Sequence, residues 1–398
     1  MEFGIFQSLY LPHTLSADDP IGAEHDRLMD EIEWLKAADR SGFKYTWSAE
    51  HHFLTEYSHL SASEAFLGYA AAVTERIHLG TGIFNITPPV NHPARIAERV
   101  AMIDQLSNGR FEFGTGRGSS STEYMGFSIP STDLTKEMYD EVLPEFKKMW
   151  TERDYNFEGR FFSMPKRTVH PSVFQKPHPP IWVAAGSPST FEKAGRLGIG
   201  VLCFANESPD KLAPLIETYK KAVANAEPVG SYVNDNVMVT SQMLCLEDGK
   251  RAREVFCNSM IGYQNTLVFH YLDTFPKPAW VPPWPNLIPE PQLDNLEESI
   301  SRHLVTVGDP DECTKAIERL TSIGADQVSF GMLSSSMPIE VAVEATETFG
   351  KHVLPQFDKD PVHRTTRHRE AYLAKIGEAG MKKIADIERI RITMPKSI

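Results

Sequence analysis

Short apolar runs alternate along the chain with longer stretches in which apolar residues recur at helical spacing. The short runs are typical of strands that are buried on both faces. The predicted strands are Phe3–Leu9, Tyr45–Ala49, His78–Phe84, Arg110–Gly114, Ile181–Ala185, Gly200–Phe204, Val237–Leu246 and Gln327–Met332. Because strands that alternate with helices form parallel sheets, the pattern indicates an α/β fold. Eight strands favour a closed (β/α)8 barrel, the TIM barrel.

The longer stretches are predicted to be the outer helices of this barrel. Residues Leu28, Ile32 and Leu35, for example, share one face of the first stretch. The predicted helices are Asp26–Ser41, Ser63–Val73, Pro93–Ser107, Lys136–Trp150, Lys211–Ala226, Lys250–Phe269 and Ile339–Val353. An open doubly wound sheet would show the same alternation, but the GxGxxG motif expected after its first strand is absent. We therefore expect the barrel.

Two segments do not belong to a minimal barrel. Residues 273–297 hold seven prolines together with Trp280 and Trp284, which is too much proline for a helix or a central strand. We predict a long irregular insertion there, a candidate lid over the barrel. Residues 1–355 would form the barrel domain. The charged, helical pattern of residues 356–398 predicts a C-terminal extension, packed on the barrel or on a partner subunit.

The charge balance and the cysteines restrict the class of protein. The chain has 40 Lys and Arg against 53 Asp and Glu, a net charge of −13, and no basic run, so nucleic acid and membrane surfaces are poor partners. Its 4 cysteines are widely spaced, which predicts neither disulfides nor a zinc site. No metal ligands are expected. The N-terminus lacks a signal-peptide pattern and no run of 18 apolar residues occurs, so we expect a cytoplasmic protein.

The tripeptide Glu50-His51-His52 lies directly after the predicted strand Tyr45–Ala49. Parallel barrels keep their chemistry at the carboxyl ends of the strands. Consecutive residues of an extended strand face opposite sides, so we expect one of the two histidines to be chemical and the other structural. The placement predicts an active site.

Two further strand ends carry candidate anion sites. The run RFEFGTGRG at Arg110–Gly118 places Arg117 among glycines, where the backbone can approach a ligand and a guanidinium can bind a phosphate. After the fifth strand, Ala184–Glu192 is rich in small hydroxyl residues. Ser189 with Glu192 fits a capping box, and hydroxyls at a helix start suit a phosphate.

Five segments together resemble the bacterial luciferase-like family of flavin-dependent monooxygenases. They are AEHHF at Ala49–Phe53, LGTGI at Leu79–Ile83, HPxRxAExVxxxDQxSxGRFxFGxxRG from His92 to Gly118, AAGSPST at Ala184–Thr190 and VTVGDPDEC at Val305–Cys313. The matches span residues 1–355 in the same order. The resemblance implies a (β/α)8 barrel that binds reduced FMN, forms a flavin C4a-hydroperoxide with O2 and oxidises a small organic substrate such as an aldehyde or ketone.

The resemblance also implies roles for individual residues. His51 matches the family's catalytic histidine, a general base, with Glu50 and His52 as groups that orient it. The implied cofactor-binding residues are Gly82, Ile83, Gly116, Arg117, Ala185, Gly186, Ser187 and Thr190. Arg117, Ser187 and Thr190 would bind the FMN phosphate, and the Gly82-Ile83 bond would be a non-prolyl cis peptide under the flavin ring. Gly116 stands where luciferase has a reactive cysteine, so thiol chemistry is absent.

The same resemblance implies partners for the chain and leaves two alternative functions open. Because the chain has no dinucleotide fingerprint, reduced FMN (FMNH2) would come from a separate NAD(P)H:FMN reductase. The family commonly forms homodimers through the helices after the second and third strands, and Ser63–Val73 is rich in small residues. One alternative is a deazaflavin-dependent oxidoreductase that transfers hydride on the same barrel. Another is a non-catalytic flavin-binding protein.

Overall fold

The computed structural model describes residues 1–11, 20–54, 58–118, 120–203, 208–259, 293–333 and 336–393 of the 398-residue chain. Within these ranges the strands are β1 Glu2–Gln7, β2 Tyr45–Ser48, β3 His78–Thr81, β4 Phe84–Asn85, β5 Phe111–Gly116, β6 Tyr155–Glu158, β7 Ser163–Arg167, β8 Ile181–Ala184, β9 Gly200–Cys203, β10 Val237–Ser241, β11 Met243–Cys245, β12 Thr306–Gly308 and β13 Gln327–Phe330.

The helices of the described ranges surround these strands. They are α1 Pro20–Arg40, α2 Ser63–Val73, α3 Pro93–Leu106, α4 Ser121–Gly126, α5 Thr132–Val142, α6 Glu145–Thr151, α7 Pro188–Arg196, α8 Pro209–Val223, α9 Gly249–Asn258, α10 Leu293–Ser301, α11 Pro310–Ser322, α12 Ile339–His352, α13 Leu354–Phe357 and α14 Arg364–Ile392. None of these helices combines the length and the apolar content that a membrane span requires.

Eight parallel strands form a closed barrel, as the sequence predicts. Their order is β3, β2, β1, β13, β10, β9, β8 and β5, and β5 pairs with β3 to complete the ring through Leu79 and Phe111. β4 adds a short pairing to β5 through Phe84 and Thr115. The (β/α)8 prediction is therefore confirmed, and all eight predicted strands take part.

Three predicted elements are interrupted in the structure. The run Val237–Leu246 forms β10 and then β11, because β11 leaves the barrel to pair with β12. The run His78–Phe84 forms β3 as far as Thr81, and β4 begins at Phe84 after the Gly82-Ile83 bond. The stretch Lys136–Trp150 is divided into α5 and α6 at Pro144, since proline lacks the N–H that would continue the helical hydrogen bonds.

Other differences concern segments without a strong apolar period. The antiparallel pair β6 and β7 was not predicted, and β7 is largely exposed. The predicted insertion at 273–297 lies mostly outside the described residues, as do Trp280 and Trp284. Over residues 293–297 the prediction of an irregular loop is wrong, because α10 begins at Leu293. The predicted helix Lys250–Phe269 is observed as α9, and its part beyond residue 259 lies outside the described residues.

Two tryptophans fill the middle of the barrel. The rings of Trp47 and Trp182 meet edge to face with centroids 5.0 Å apart, and both side chains are fully buried. Each ring lies against a glycine of the next strand, Gly80 for Trp47 and Gly200 for Trp182. A Cβ added at either glycine would overlap the ring. The interior is thus a packed core, and ligands must bind at its open ends.

The C-terminal extension packs on the amino-terminal end of the barrel. Lys44, directly before β2, donates from Nζ to Glu2 Oε1 at 2.7 Å and to Asp358 Oδ1 at 2.9 Å. Thr365 Oγ1, in the first turn of α14, donates to Glu112 Oε1 at 2.6 Å. The extension thus covers the end of the barrel opposite to the strands' carboxyl ends. The domain boundary at residue 355 stays a prediction.

Candidate active site

His51 lies just beyond the carboxyl end of β2, beside a carboxylate from another part of the chain. Its Nδ1 is 3.0 Å from Glu123 Oε1, and the same oxygen accepts the backbone N–H of His52 at 3.1 Å. The Glu123 side chain is 2% exposed and that of His51 is 16% exposed. A buried carboxylate therefore binds a histidine that is in partial contact with solvent.

The position of Glu123 is fixed by a capping box at the start of α4. Ser120 Oγ accepts the Glu123 N–H at 3.2 Å, and Glu123 Oε2 accepts the Ser120 N–H at 3.1 Å. One carboxylate oxygen is thus used by the cap and the other by the two histidines. Glu123 was not among the residues predicted from the sequence. The spacing Ser120-x-x-Glu123 after β5 is a capping-box signal that could have placed it on a helix start.

The pairing with Glu123 selects the tautomer of the neutral His51 ring. An ionised carboxylate only accepts hydrogen bonds, so His51 carries its proton on Nδ1 when the ring is neutral. Nε2 then holds the lone pair and is the ring nitrogen that can accept a proton. The Glu123 carboxylate is thus the partner that selects this tautomer of His51.

Glu50 and His52 form a second carboxylate–imidazole pair. Glu50 Oε1 lies 3.3 Å from His52 Nε2 and accepts the Asn85 N–H at 3.2 Å and the Asn91 Nδ2–H at 3.2 Å. Burial raises the pKa of the Glu50 carboxyl, and the hydrogen bond from His52 opposes that rise. Glu50 therefore orients His52, while His51 is bound by Glu123.

The Gly82-Ile83 peptide bond is cis, as expected. Gly82 packs on the ring of Phe6 and on Trp47 Cβ, where an added Cβ would lie 3.0 Å and 3.3 Å from them. A Cβ added at Gly116 would overlap the side chain of Ile83. The structure therefore brings the segment after β3 into direct contact with the carboxyl end of β5.

Arg117 follows β5 and is held by α5. Its Nη1 donates to Thr135 Oγ1 at 2.9 Å and to the Thr132 carbonyl at 3.4 Å. Lys193 of α7 forms an ion pair with Asp140, which lies on α5, the helix that also holds Arg117. Since β5 and β8 are also neighbours in the barrel, the loops that carry the two candidate anion sites begin side by side.

The second anion site differs in detail from the prediction. Ser187, and not Ser189, is the N-cap of α7, and its Oγ lies 2.9 Å from Thr190 Oγ1. The predicted capping box of Ser189 with Glu192 is wrong, because Pro188 suits the first helical position and the cap must precede it. Hydroxyls and the first N–H groups of α7 nevertheless meet here, as a phosphate site requires.

Ala185 and Gly186, which precede the N-cap Ser187, differ in exposure. Ala185 is buried, and its N–H donates to the Leu202 carbonyl at 2.9 Å. Gly186 is exposed between Ala185 and the cap. The backbone can therefore be approached by a ligand at Gly186, directly before the N-terminus of α7.

Comparison with known sequences gives one family and several relatives. The family described as luciferase-like monooxygenase matches residues 1–327. The oxygenase component of flavin-dependent trigonelline monooxygenase from Acinetobacter baylyi is 37% identical over 195 residues, 47% of this chain and 52% of that protein. The match thus spans about half of that relative. The alkanal monooxygenase alpha chain of Photorhabdus laumondii is 26% identical over 89% of this chain and 97% of its own.

Solved structures share the fold at low identity. The oxygenating constituent of 3,6-diketocamphane monooxygenase from Pseudomonas putida, a type II Baeyer-Villiger monooxygenase in complex with FMN, superposes with a TM-score of 0.72 at 20% identity, covering 90% of this chain and 99% of its own. An F420-dependent secondary alcohol dehydrogenase with an F420-acetone adduct gives 0.64 at 19% identity, with the same coverage. Because the family match covers residues 1–327, the chain belongs to the luciferase-like family of flavin-dependent monooxygenases.

Proposed function

We propose that the chain is the oxygenase of a two-component, FMN-dependent monooxygenase. It would take reduced FMN from a separate NAD(P)H:FMN reductase in the cytoplasm and use O2 to oxidise a small organic substrate such as an aldehyde or ketone. The observation that carries the proposal is the His51–Glu123 pair at the end of the barrel where Arg117 and the N-terminus of α7 also lie. The relative described as an oxygenase component supports the need for a reductase.

The residues present fit an FMN cofactor. Arg117, Ser187 and Thr190 supply a cation, hydroxyls and helix N–H groups for the phosphate. The Gly82-Ile83 bond and Gly116 leave a surface with few side chains for a flat ring, since a Cβ at Gly116 would collide with Ile83. Reduced FMN, when bound, supplies the electrons that activate O2.

His51 would move the proton in this site. With Nδ1–H bound to Glu123, its Nε2 accepts a proton from the substrate or from water and later returns it. The buried Glu123 carboxylate stabilises the ring when it is charged and keeps its orientation. Glu50 and His52, which the sequence predicts to orient His51, would do so only through the backbone of this loop, because His52 pairs with Glu50 and His51 pairs with Glu123.

A second copy of the chain is proposed to cover the outer face of α2 and α3. Tyr69, Met102 and Leu106 are 54%, 49% and 55% exposed on these two helices. Large apolar side chains grouped on neighbouring helices favour a protein interface. This supports the homodimer expected from the sequence.

The first test is an anaerobic titration with reduced FMN and reduced deazaflavin, followed by mixing with oxygenated buffer. An absorbance between 350 and 450 nm that persists with FMN, and turnover of aldehydes or ketones, is expected. Tight deazaflavin binding without an oxygen adduct would instead indicate hydride transfer. Flavin binding without turnover on any substrate would indicate a binding protein.

Two variants test the residue roles. His51→Ala should reduce turnover by about 10²–10⁴ with nearly unchanged FMN affinity. His25→Gln, on the exposed face of α1, is the control and should behave as the unmodified chain. Arg117→Gln should weaken FMN far more than riboflavin, because riboflavin lacks the phosphate; equal losses would make Arg117 structural.

A further inference from the structure

A series of hydrogen bonds leads from the candidate site to the outer face of the barrel. Glu50 Oε1 accepts from Asn91 Nδ2 at 3.2 Å, Asn91 Oδ1 accepts from Arg99 Nη1 at 2.7 Å, and Arg99 Nε lies 3.3 Å from Glu64 Oε1. The Glu50 side chain is 1% exposed, whereas those of Arg99 and Glu64 are 25% and 28% exposed. The series therefore joins a buried carboxylate beside His52 to helices α3 and α2.

The chemical types of these groups determine the direction of each bond. A guanidinium offers only donors, and a carboxylate offers only acceptors when ionised. The amide of Asn91 must therefore turn its oxygen to Arg99 and its NH₂ group to Glu50. In this orientation Nδ2 also donates to the Asn85 carbonyl at 3.0 Å. Arg99 thus selects the amide orientation that supplies Glu50 with a donor.

Glu50 in turn connects two loops of the site. Its Oε1 binds the His52 ring and the Asn85 N–H. Asn85 lies two residues after the Gly82-Ile83 bond, so Glu50 holds the segment that follows this bond against the loop after β2. Removing the Asn91 donor raises the cost of burying the Glu50 carboxylate, so the present position of Glu50 between these two segments becomes less favourable.

We infer that Asn91 and Arg99 are positioning residues of the active site. They hold Glu50, and Glu50 fixes the His52 ring and the backbone beside Gly82 and Ile83. The hydrogen bonds from Arg99 through Asn91 to Glu50 are called the relay below. The effect of the relay on catalysis rests on the proposed function, whereas its geometry does not. Arg99, on an outer helix, thereby influences a site that it does not contact.

The test is the rate at which diethyl pyrocarbonate modifies His52 in the full-length chain, read by mass spectrometry of its peptides. The reagent attacks an unprotonated ring nitrogen, so a ring held less firmly by Glu50 reacts faster. Arg99→Met and Asn91→Ala should each raise the His52 rate about fivefold relative to exposed His25. Arg99→Lys should restore much of the slow rate, because lysine can also donate to Asn91.

Arg95→Met is the matched control, since Arg95 is on the same helix and its side chain, 64% exposed, pairs only with Glu98 among the contacts that the structure describes. A His52 rate in Arg99→Met equal to that of Arg95→Met would overturn the inference. Circular dichroism shows whether each variant is folded. If Arg99→Met is not folded, the His52 rate of Asn91→Ala is compared with that of Arg95→Met instead.

The modification experiment needs neither flavin nor substrate. A faster His52 reaction in a protein that oxygenates nothing would support the relay and reject the proposed function. In a working enzyme, Arg99→Met should lower kcat with little change in KM, since Arg99 is remote from the substrate. A loss of kcat without any change at His52 would count against the relay.

Discussion

Replacing Lys44 by methionine removes the cation that holds the C-terminal extension on the barrel. Its Nζ lies 2.7 Å from Glu2 Oε1 and 2.9 Å from Asp358 Oδ1, and it donates to the carbonyls of Asp360 at 2.7 Å and Val362 at 3.1 Å. All three charged side chains are 9% exposed or less. The variant therefore leaves two buried carboxylates without their cation.

The expected destabilisation follows from these contacts. Breaking a buried ion pair from one side costs about 3–5 kcal/mol. The lower figure applies here, because Glu2 keeps hydrogen bonds from Tyr45 Oη at 2.8 Å and from the Arg364 N–H at 2.9 Å. Burial raises the pKa of both Glu2 and Asp358. Their protonated forms are thus favoured in the folded state, and the stability gained from them is lost as pH rises through the folded pKa.

The Lys44→Met variant should therefore lose about 3 kcal/mol of stability at pH 8 and less as the pH falls, because the raised pKa values of Glu2 and Asp358 favour their neutral forms. Hydrogen exchange of residues 361–370 measures the opening of the extension, and about 3 kcal/mol corresponds to about a hundredfold loss of protection. Lys36→Met is the control. Lys36 pairs with Glu33 at 2.7 Å, but the two side chains are 44% and 45% exposed, so its loss should cost under about 1 kcal/mol. Wild-type protection in Lys44→Met at pH 8 would refute this reasoning.

Three further outcomes are expected. Glu123→Gln should lower turnover about a hundredfold with unchanged FMN affinity, because an amide no longer fixes the charged form of His51; single-turnover rates equal to wild type would contradict it. Tyr69→Asp combined with Leu106→Asp should convert a dimer into a 44.7 kDa particle, measured by light scattering against the unmodified chain. Burial raises the pKa of Glu112 to about 8 from 4.5, so the stability that its protonated form contributes is lost as pH rises from about 4.5 to 8. Glu112→Gln should make the melting temperature less dependent on pH over this range. An unchanged pH dependence would mean that Glu112 is not its source.

The barrel could be predicted from the sequence because its strands are buried on both faces and its helices on one. Ser63–Val73 matches α2 at both ends, since its apolar face is continuous. The pair β6 and β7 could not be predicted in this way, because the residues of β7, Ser163–Arg167, are mostly exposed and carry no apolar period. β12 has three residues, too few for a periodic signal, and its partner is remote in the chain.

The candidate site could be predicted only in part. His51, Arg117 and Ser187 lie within three residues of the ends of β2, β5 and β8, where motif and position agree. Glu123 is 72 residues from His51 in sequence, and no local pattern indicates that α4 folds back onto the loop after β2. The same holds for Arg99. The apolar period of α3 places Arg99 on a helix but does not predict its contact with Asn91.

The glycine–tryptophan contacts inside the barrel restrict how this sequence can change over evolutionary time. Alanine at position 80 or 200 is blocked as long as Trp47 or Trp182 stands opposite, because the new Cβ would overlap the ring. The tryptophan would have to become smaller first, and that intermediate would carry a cavity that costs about 3–5 kcal/mol. Each pair must therefore be inherited together, and a homologue with a side chain at either glycine should carry a smaller residue at the matching tryptophan.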